Sequence, residues 1–216
     1  MYFLKCKYKL RVLQSNFFYC KVSYFKIQTK MVIKIHKKIY SAIEEVWLND
    51  ISKDYKNNHL LKEDSLKNAF YYHVRNRLGE DFLEKYNLRI FTEYFVDGER
   101  IDLVIVQIDP FRAKESYLGD CITEIIVAVE MKYKNSYTSD KVFLQDVDKV
   151  LSFIRNWKSN TTTFYLAFIH EKYMNSQEKM SWIHDKHIEI VKGKVTELNA
   201  YWDEVSDETR WIIYDH

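Results

Sequence analysis

The sequence predicts an α/β layer architecture built on a mixed sheet, and three observations predict it. Helix-period apolar stripes and β-rich runs follow one another in the order helix, strand, strand, strand, helix, strand, ahead of a mixed tail. Asp97-Gly98 joins two of the β-rich runs as a tight hairpin turn. Two later runs, "IIVAVEMKY" and "TTTFYLAFIH", are apolar enough to lie inside a sheet covered on both faces. The chain has 216 residues, 47% of them hydrophobic and 30% charged, which suits one globular domain with a terminal appendage.

Residues 1–30 form a basic, aromatic N-terminal extension in which Leu4, Cys6, Tyr8, Leu10 and Val12 alternate with Lys5, Lys7, Lys9 and Arg11. Two readings stand. One is a β-hairpin or edge strand with a wet basic face; the other starts the native product at Met31, leaving 31–216 as a single domain. A basic arm gripping phosphates ranks below both.

From Ile35 to Leu48 the apolar positions Ile39, Ile43, Val46 and Trp47 recur at helical spacing. A polar loop, "NDISKDYKNNH", follows. A longer helix over Leu61–Tyr86 carries an inner stripe of Leu66, Phe70, Val74 and Leu78, with Glu63 about one turn earlier on that face. Asp64 and Ser65 compete with Glu63 for the start of that helix. "NLRIFTEYFV" and "ERIDLVIVQI" read as adjacent antiparallel strands, and Asp109–Thr123, which holds the only proline, as a loop. After the next strand, Ser139–Trp157 is an amphipathic helix with Phe143, Val147, Val150 and Ile154 inside. The remainder, with Trp182, the Val195–Trp202 run and "RWIIYDH", is expected to add a helix and edge strands.

Composition excludes several classes of function. The net charge of +2 gives no global attraction for polyanions, so a nucleic-acid partner needs local clusters of Lys and Arg. Cys6, Cys20 and Cys121 are odd in number and scattered, which argues against a disulfide framework or zinc site and for a reducing, cytoplasmic setting. No membrane partner is expected, since no stretch approaches the roughly 18 apolar residues of a span. Glycine-rich phosphate loops and a nucleophile elbow are missing. His184 and His187 lack the further ligands of a tetrahedral zinc site.

The chemistry concentrates in "IIVAVEMKYK". Strand alternation points Glu130 and Lys132 to one face and Val129 and Met131 to the other. Asp102 is a solitary acid in the buried run "RIDLVIV". If the two strands are neighbours, Asp102, Glu130 and Lys132 converge. Paired carboxylates are hard oxygen ligands for Mg²⁺, and an ammonium beside them can orient water or neutralise charge building on phosphorus. A solvated edge-strand position for Glu130 and Lys132, with Asp102 paired to Arg100, is the bland alternative. Glu93 invites the same argument as Asp102, although a cross-strand pair with Arg100 suits it better.

Asp102 followed by Glu130-Met131-Lys132 resembles the signature of the PD-(D/E)XK nuclease superfamily. The resemblance covers about Leu61–Ile169 and departs from the name-giving proline, which is Ile101 here. It implies a restriction-endonuclease-like fold, a three-layer core with a mixed central sheet flanked by helices. It further implies a Mg²⁺-dependent nuclease, with Mn²⁺ as a substitute, acting on nucleic acid, DNA ahead of RNA, with a homodimer compatible with the fold. Asp102, Glu130 and the Met131 carbonyl would hold the metal, Lys132 would position or activate water, and Glu63 would add an outer carboxylate. Gln145 or Lys149 would touch substrate. A catalytically inactive relative binding nucleic acid or a protein is the competing expectation.

Overall fold

Six strands form one sheet in the order of the sequence: β1 (Leu88–Val96), β2 (Glu99–Ile108), β3 (Ile122–Asn135), β4 (Thr163–Met174), β5 (Val195–Asp203) and β6 (Thr209–Asp215). This is a computed structural model, and it describes residues 30–157, 161–175 and 180–216. The chain divides into two compact units, Met1–Ser41 and Ala42–His216. The expectations for residues 1–29 lie outside the described residues. Residues 30–45 are helical and make up α1, with Ile39 and Ile43 buried.

Within Ala42–His216 the sheet is mixed. The first three strands form an antiparallel meander, β3–β4 and β4–β5 are parallel, and β5–β6 is antiparallel. Parallel neighbours need a long crossover, and α5 (Lys141–Asn156) provides the one from β3 to β4. The β1–β2 turn is the two-residue hairpin expected at Asp97-Gly98, with φ of 52° and 84°. Positive φ at both central residues matches the right-handed strand twist, and asparagine-like side chains and glycine tolerate it best.

Helices cover both faces. On one face α5 sets Phe143, Val147 and Val150 against Val104, Val106, Ala128, Leu166 and Phe168. The opposite alternation, Leu103, Ile105, Val127, Val129 and Met131, is equally buried. There α3 (Glu63–Leu78) packs against β1, β2 and β3 and buries Leu66, Phe70, Val74 and Leu78. The two-sided cover explains why these strands read as continuous apolar runs.

Several boundaries differ from expectation for identifiable reasons. The helix expected over Leu61–Tyr86 is two, α3 and α4 (Glu80–Lys85), because the chain turns at Gly79 with φ 78°, a conformation glycine adopts freely. The polar stretch after Trp47 is helical, a π-turn over Val46–Ile51 running into α2 (Ser52–Lys56). Its polar residues find local partners: Asn49 and Ser52 donate to the Glu45 and Leu48 carbonyls, and Arg77 pairs with Asp50. Meanwhile Ile51 and Trp47 go inside. Asp109–Thr123 holds two short 3-10 turns, Arg112–Lys114 and Leu118–Cys121, with β3 starting at Ile122. The tail's strands are not both at the edge: β5 lies between β4 and β6, while β6 is the edge. A short helix, α6 (Ile188–Val191), precedes β5. No helix among the described residues is long and apolar enough to cross a membrane.

Candidate functional site

The meander brings the two strand acids together. Leu103 pairs with Val129 and Val104 with Ala128. Continued by one residue, that antiparallel register sets Asp102 opposite Glu130, so both side chains leave the same face of the sheet. It is the face carrying Val104 and Ala128, covered by α5. Lys132, two residues beyond Glu130, shares it. Asp102 and Glu130 are both buried, at 7% and 3% exposure, which rules out a solvated edge position for the pair.

Each charge is answered by a specific partner. Asp102 Oδ2 accepts the backbone N–H of Met131 at 2.7 Å, and its Oδ1 lies 2.7 Å from Lys67 Nζ on α3. Lys67 also reaches Glu63 at 3.3 Å and Glu93 at 3.1 Å. Lys149 on α5 sits 2.9 Å from Glu130 and donates to the Arg100 carbonyl. Lys132 lies 3.0 Å from Asp146 on α5 and 3.4 Å from Glu63, which Lys134 approaches at 3.3 Å. Arg100 pairs with Glu93 at 2.7 Å rather than with Asp102. A buried charge is tolerated only when paired in this way.

Helix geometry explains the supply of partners. Glu63 and Lys67 stand one turn apart at the start of α3, and Asp146 and Lys149 three residues apart on α5, so each helix presents an acid and a base on one stripe. The start of α3 is fixed by Ser65, whose hydroxyl accepts the Lys62 N–H and donates to the Lys62 carbonyl. That cap places Glu63 in the first turn with its carboxylate free to meet the lysines of β3.

These surroundings move the titrations apart. Burial is the largest influence on Glu130, and the nearby Asp102 adds to it. Lys149 offsets them only in part, so the carboxyl is pushed up to about 8. Burial also raises Asp146 above the usual carboxylate range, against the opposing pull of Lys132. Around Glu63 burial acts upward, yet Lys132, Lys67 and Lys134 together hold the carboxyl low. Lys132 is likewise opposed by burial but raised overall by Asp146, Glu63 and Asp102, and therefore stays cationic at neutral pH.

As placed, no group of three or more His, Cys, Asp and Glu side chains among the described residues could hold a metal ion. The carboxylates are turned to lysines instead of converging on one point. The donor set nevertheless fits a hard divalent cation. Glu130 Oε1 is buried with Lys149 Nζ 2.9 Å away, and Asp146 Oδ2 is buried with Lys132 Nζ 3.0 Å away, so each carboxylate now holds an ammonium where a cation could stand. Lysine side chains are long and rotate readily, and a carboxylate released by its ammonium is a hard oxygen ligand for a divalent cation.

Of the residues singled out from sequence, Glu63, Asp102, Glu130 and Lys132 come together, while Met131 buries its side chain on the opposite face. Lys149 lies on Glu130, and Gln145 is exposed one turn before it. Lys67 and Asp146 had not been singled out. Their signal was helical spacing, Lys67 four residues after Glu63 and Asp146 three before Lys149. Comparisons with protein-family models, with curated proteins and with solved structures each gave no match.

Proposed function

We propose that this chain is a metal-dependent nuclease hydrolysing phosphodiester bonds of nucleic acid, with DNA ahead of RNA as substrate. The observation that carries the proposal is the convergence of Asp102 and Glu130 from adjacent antiparallel strands with Lys132 beside them on the same face. The order of parts also supports it. A helix bearing Glu63, the Asp102 strand, the Glu130-Met131-Lys132 strand and a helix packed on the sheet follow the pattern that the PD-(D/E)XK resemblance implies.

Mg²⁺ or Mn²⁺ held by Asp102, Glu130 and the Met131 carbonyl would supply Lewis acidity toward phosphate oxygens. Asp102 is held for that task by the Met131 N–H, which fixes one carboxylate oxygen and aims the other. Lys132, clamped by Asp146 and Glu63 and kept protonated, acts as a donor. It orients a nucleophilic water or meets negative charge at phosphorus, and does not serve as the base. Glu63 positions the Lys132 ammonium.

A second reading, a catalytically inactive module on the same frame that binds nucleic acid or a protein, is favoured by one observation. Lys67 and Lys149 already occupy the two strand acids. The deciding experiment compares wild type with Lys132→Ala and Asp102→Asn on single- and double-stranded DNA and RNA. Mg²⁺, Mn²⁺ and EDTA are the conditions. Metal-dependent cleavage by wild type, reduced about 100-fold or more in both variants, supports the nuclease. Folded protein that neither cleaves nor binds the metals supports the inactive module, and equal EDTA-insensitive cleavage by all three proteins points to contamination.

A further inference from the structure

On the other face of the sheet, at the same strand ends, lies a cavity of ≈690 Å³. Tyr133 directly follows Lys132 in β3, so its side chain leaves the opposite face, and it lines this cavity with Tyr55, Trp202, Trp211 and Glu171. Both tyrosine hydroxyls donate to the same oxygen, Glu171 Oε1, at 3.0 Å from Tyr55 and 2.9 Å from Tyr133. Burial, together with the Glu171 carboxylate, raises the Tyr55 phenol to about 12, so it remains a neutral donor. Glu171 lines the cavity, and both tyrosine hydrogen bonds fall on Oε1, not on Oε2. The exposed residues of the lining are of mixed charge, Lys53 and Lys56 with Asp207 and Glu208, and Asp207 already accepts from the Tyr173 hydroxyl.

We infer that this cavity holds an unpaired nucleobase bearing an amino group, stacked on the aromatic walls, with its amino edge on Glu171 and its phosphate at Lys53 and Lys56. The size suits a nucleotide-scale ligand. Aromatic rings accept any base by stacking. A carboxylate in the lining favours a ligand that donates, as the amino groups of adenine, guanine and cytosine do. Uracil and thymine flank their single N–H with two carbonyl oxygens, which the carboxylate repels. Asp207 and Glu208 line the same cavity, so a simple organic cation is the competing occupant; Lys53 and Lys56 give a ligand with an anionic end partners that a cation lacks. As a site for the substrate strand this rests on the nuclease reading: a strand whose phosphate meets Lys132 would place a neighbouring unstacked base around the sheet end. Such extrusion is easiest in single-stranded or damaged nucleic acid.

The test titrates AMP, GMP, CMP and UMP into the full chain in EDTA, following tryptophan fluorescence, so that binding is read without metal or turnover. AMP, GMP and CMP should quench saturably and bind about tenfold or more tighter than UMP, the size of one specific edge contact. Glu171→Gln, whose amide can donate to a carbonyl, should erase that preference. Lys53→Ala with Lys56→Ala, both at exposed positions, should abolish the advantage of AMP over adenosine while leaving adenosine binding in place. Equal binding of all four nucleotides unaffected by Glu171→Gln, no binding at all, or preference for tetramethylammonium over AMP would each overturn the inference. Cleavage without mononucleotide binding removes the pocket and leaves the nuclease, whereas binding without cleavage leaves the pocket and removes the nuclease.

Discussion

The Met131 N–H donates to Asp102 Oδ2 at 2.7 Å while Lys67 Nζ holds the other oxygen at 2.7 Å. Asp102 thus ties β3 and α3 together as well as serving the site. Asp102→Ala leaves a buried amide without an acceptor and takes from Lys67 its nearest counter-charge, which should destabilise the protein by about 3 kcal/mol. Asp102→Asn keeps an acceptor for the amide and should lose less than half as much. Urea denaturation of both variants measures the difference, and a wild-type midpoint for Asp102→Ala would mean that the link adds nothing to stability. Both variants should lose metal-dependent cleavage, so stability and activity separate in Asp102→Asn.

Glu130 gives the metal-free protein a distinctive pH dependence. Its carboxyl titrates near 8 in the folded chain against 4.5 ordinarily, burial being the main cause. Between those values the folded state keeps a proton that the unfolded chain has released, so stability falls as pH rises from about 4.5 to about 8. Thermal unfolding in EDTA should show that decline, and Glu130→Gln, neutral throughout, should flatten it. At pH 8 the Gln variant should be the more stable by about 2 kcal/mol, or about 5 °C in Tm. A wild-type profile that rises across this window would show that Lys149 fully compensates the carboxylate.

What was legible in the sequence was whatever local periodicity governs. Alternation alone put Glu130 and Lys132 on one face and Asp102 on its own strand. Asp97-Gly98 made β1 and β2 neighbours, and sequence order made β3 the next. The partners were not legible in the same way, because Lys67 and Asp146 look like ordinary solvated helix residues until the packing of α3 and α5 on the sheet is known. Glu93 shows the same limit in reverse. It has the alternation of a site acid, yet adopts φ 54° and divides its carboxylate between Arg100 and Lys67. The helical "NDISKDYK" escaped notice because its polar residues resemble a loop and only Ile51 signals an inward face. Likewise β5 reads as an edge because Glu197 and Asn199 interrupt it, although both are fully buried.

Those interruptions form a polar lock far from the acids of β2 and β3 in sequence. Glu197 accepts from Ser181 at 2.7 Å, from the Trp182 N–H at 2.9 Å and from Asn199 at 2.9 Å, and lies 2.7 Å from His216. It thereby ties Ser181–Ile183 to β5. Glu197→Ala should cost about 3 kcal/mol or more by stranding several buried donors. Glu197→Gln retains part of the network and should cost less. Thermal unfolding of the two variants decides, and the positioning of Trp182 against Phe143, with ring centroids 4.5 Å apart, allows near-UV circular dichroism to report the same loosening.

Metal binding at the proposed site should be coupled to proton release, and this separates a ligand role for Glu130 from a purely structural one. A carboxylate must be deprotonated to ligate. With a folded-state value of about 8, Glu130 is mostly protonated at pH 7, so Mn²⁺ or Mg²⁺ should expel roughly 0.9 proton on binding. Isothermal titration at pH 7 in two buffers of different ionisation enthalpy measures that number directly. At pH 9, where Glu130 is already ionised, the release should fall to roughly 0.1, and affinity should rise between the two pH values by about tenfold. Lys149 must swing away from Glu130 for the metal to enter, so Lys149→Met should strengthen binding while leaving proton release intact. Metal binding with no proton release at pH 7 would place the ion on ligands other than Glu130, and would return Glu130 to the role of a buried partner for Lys149.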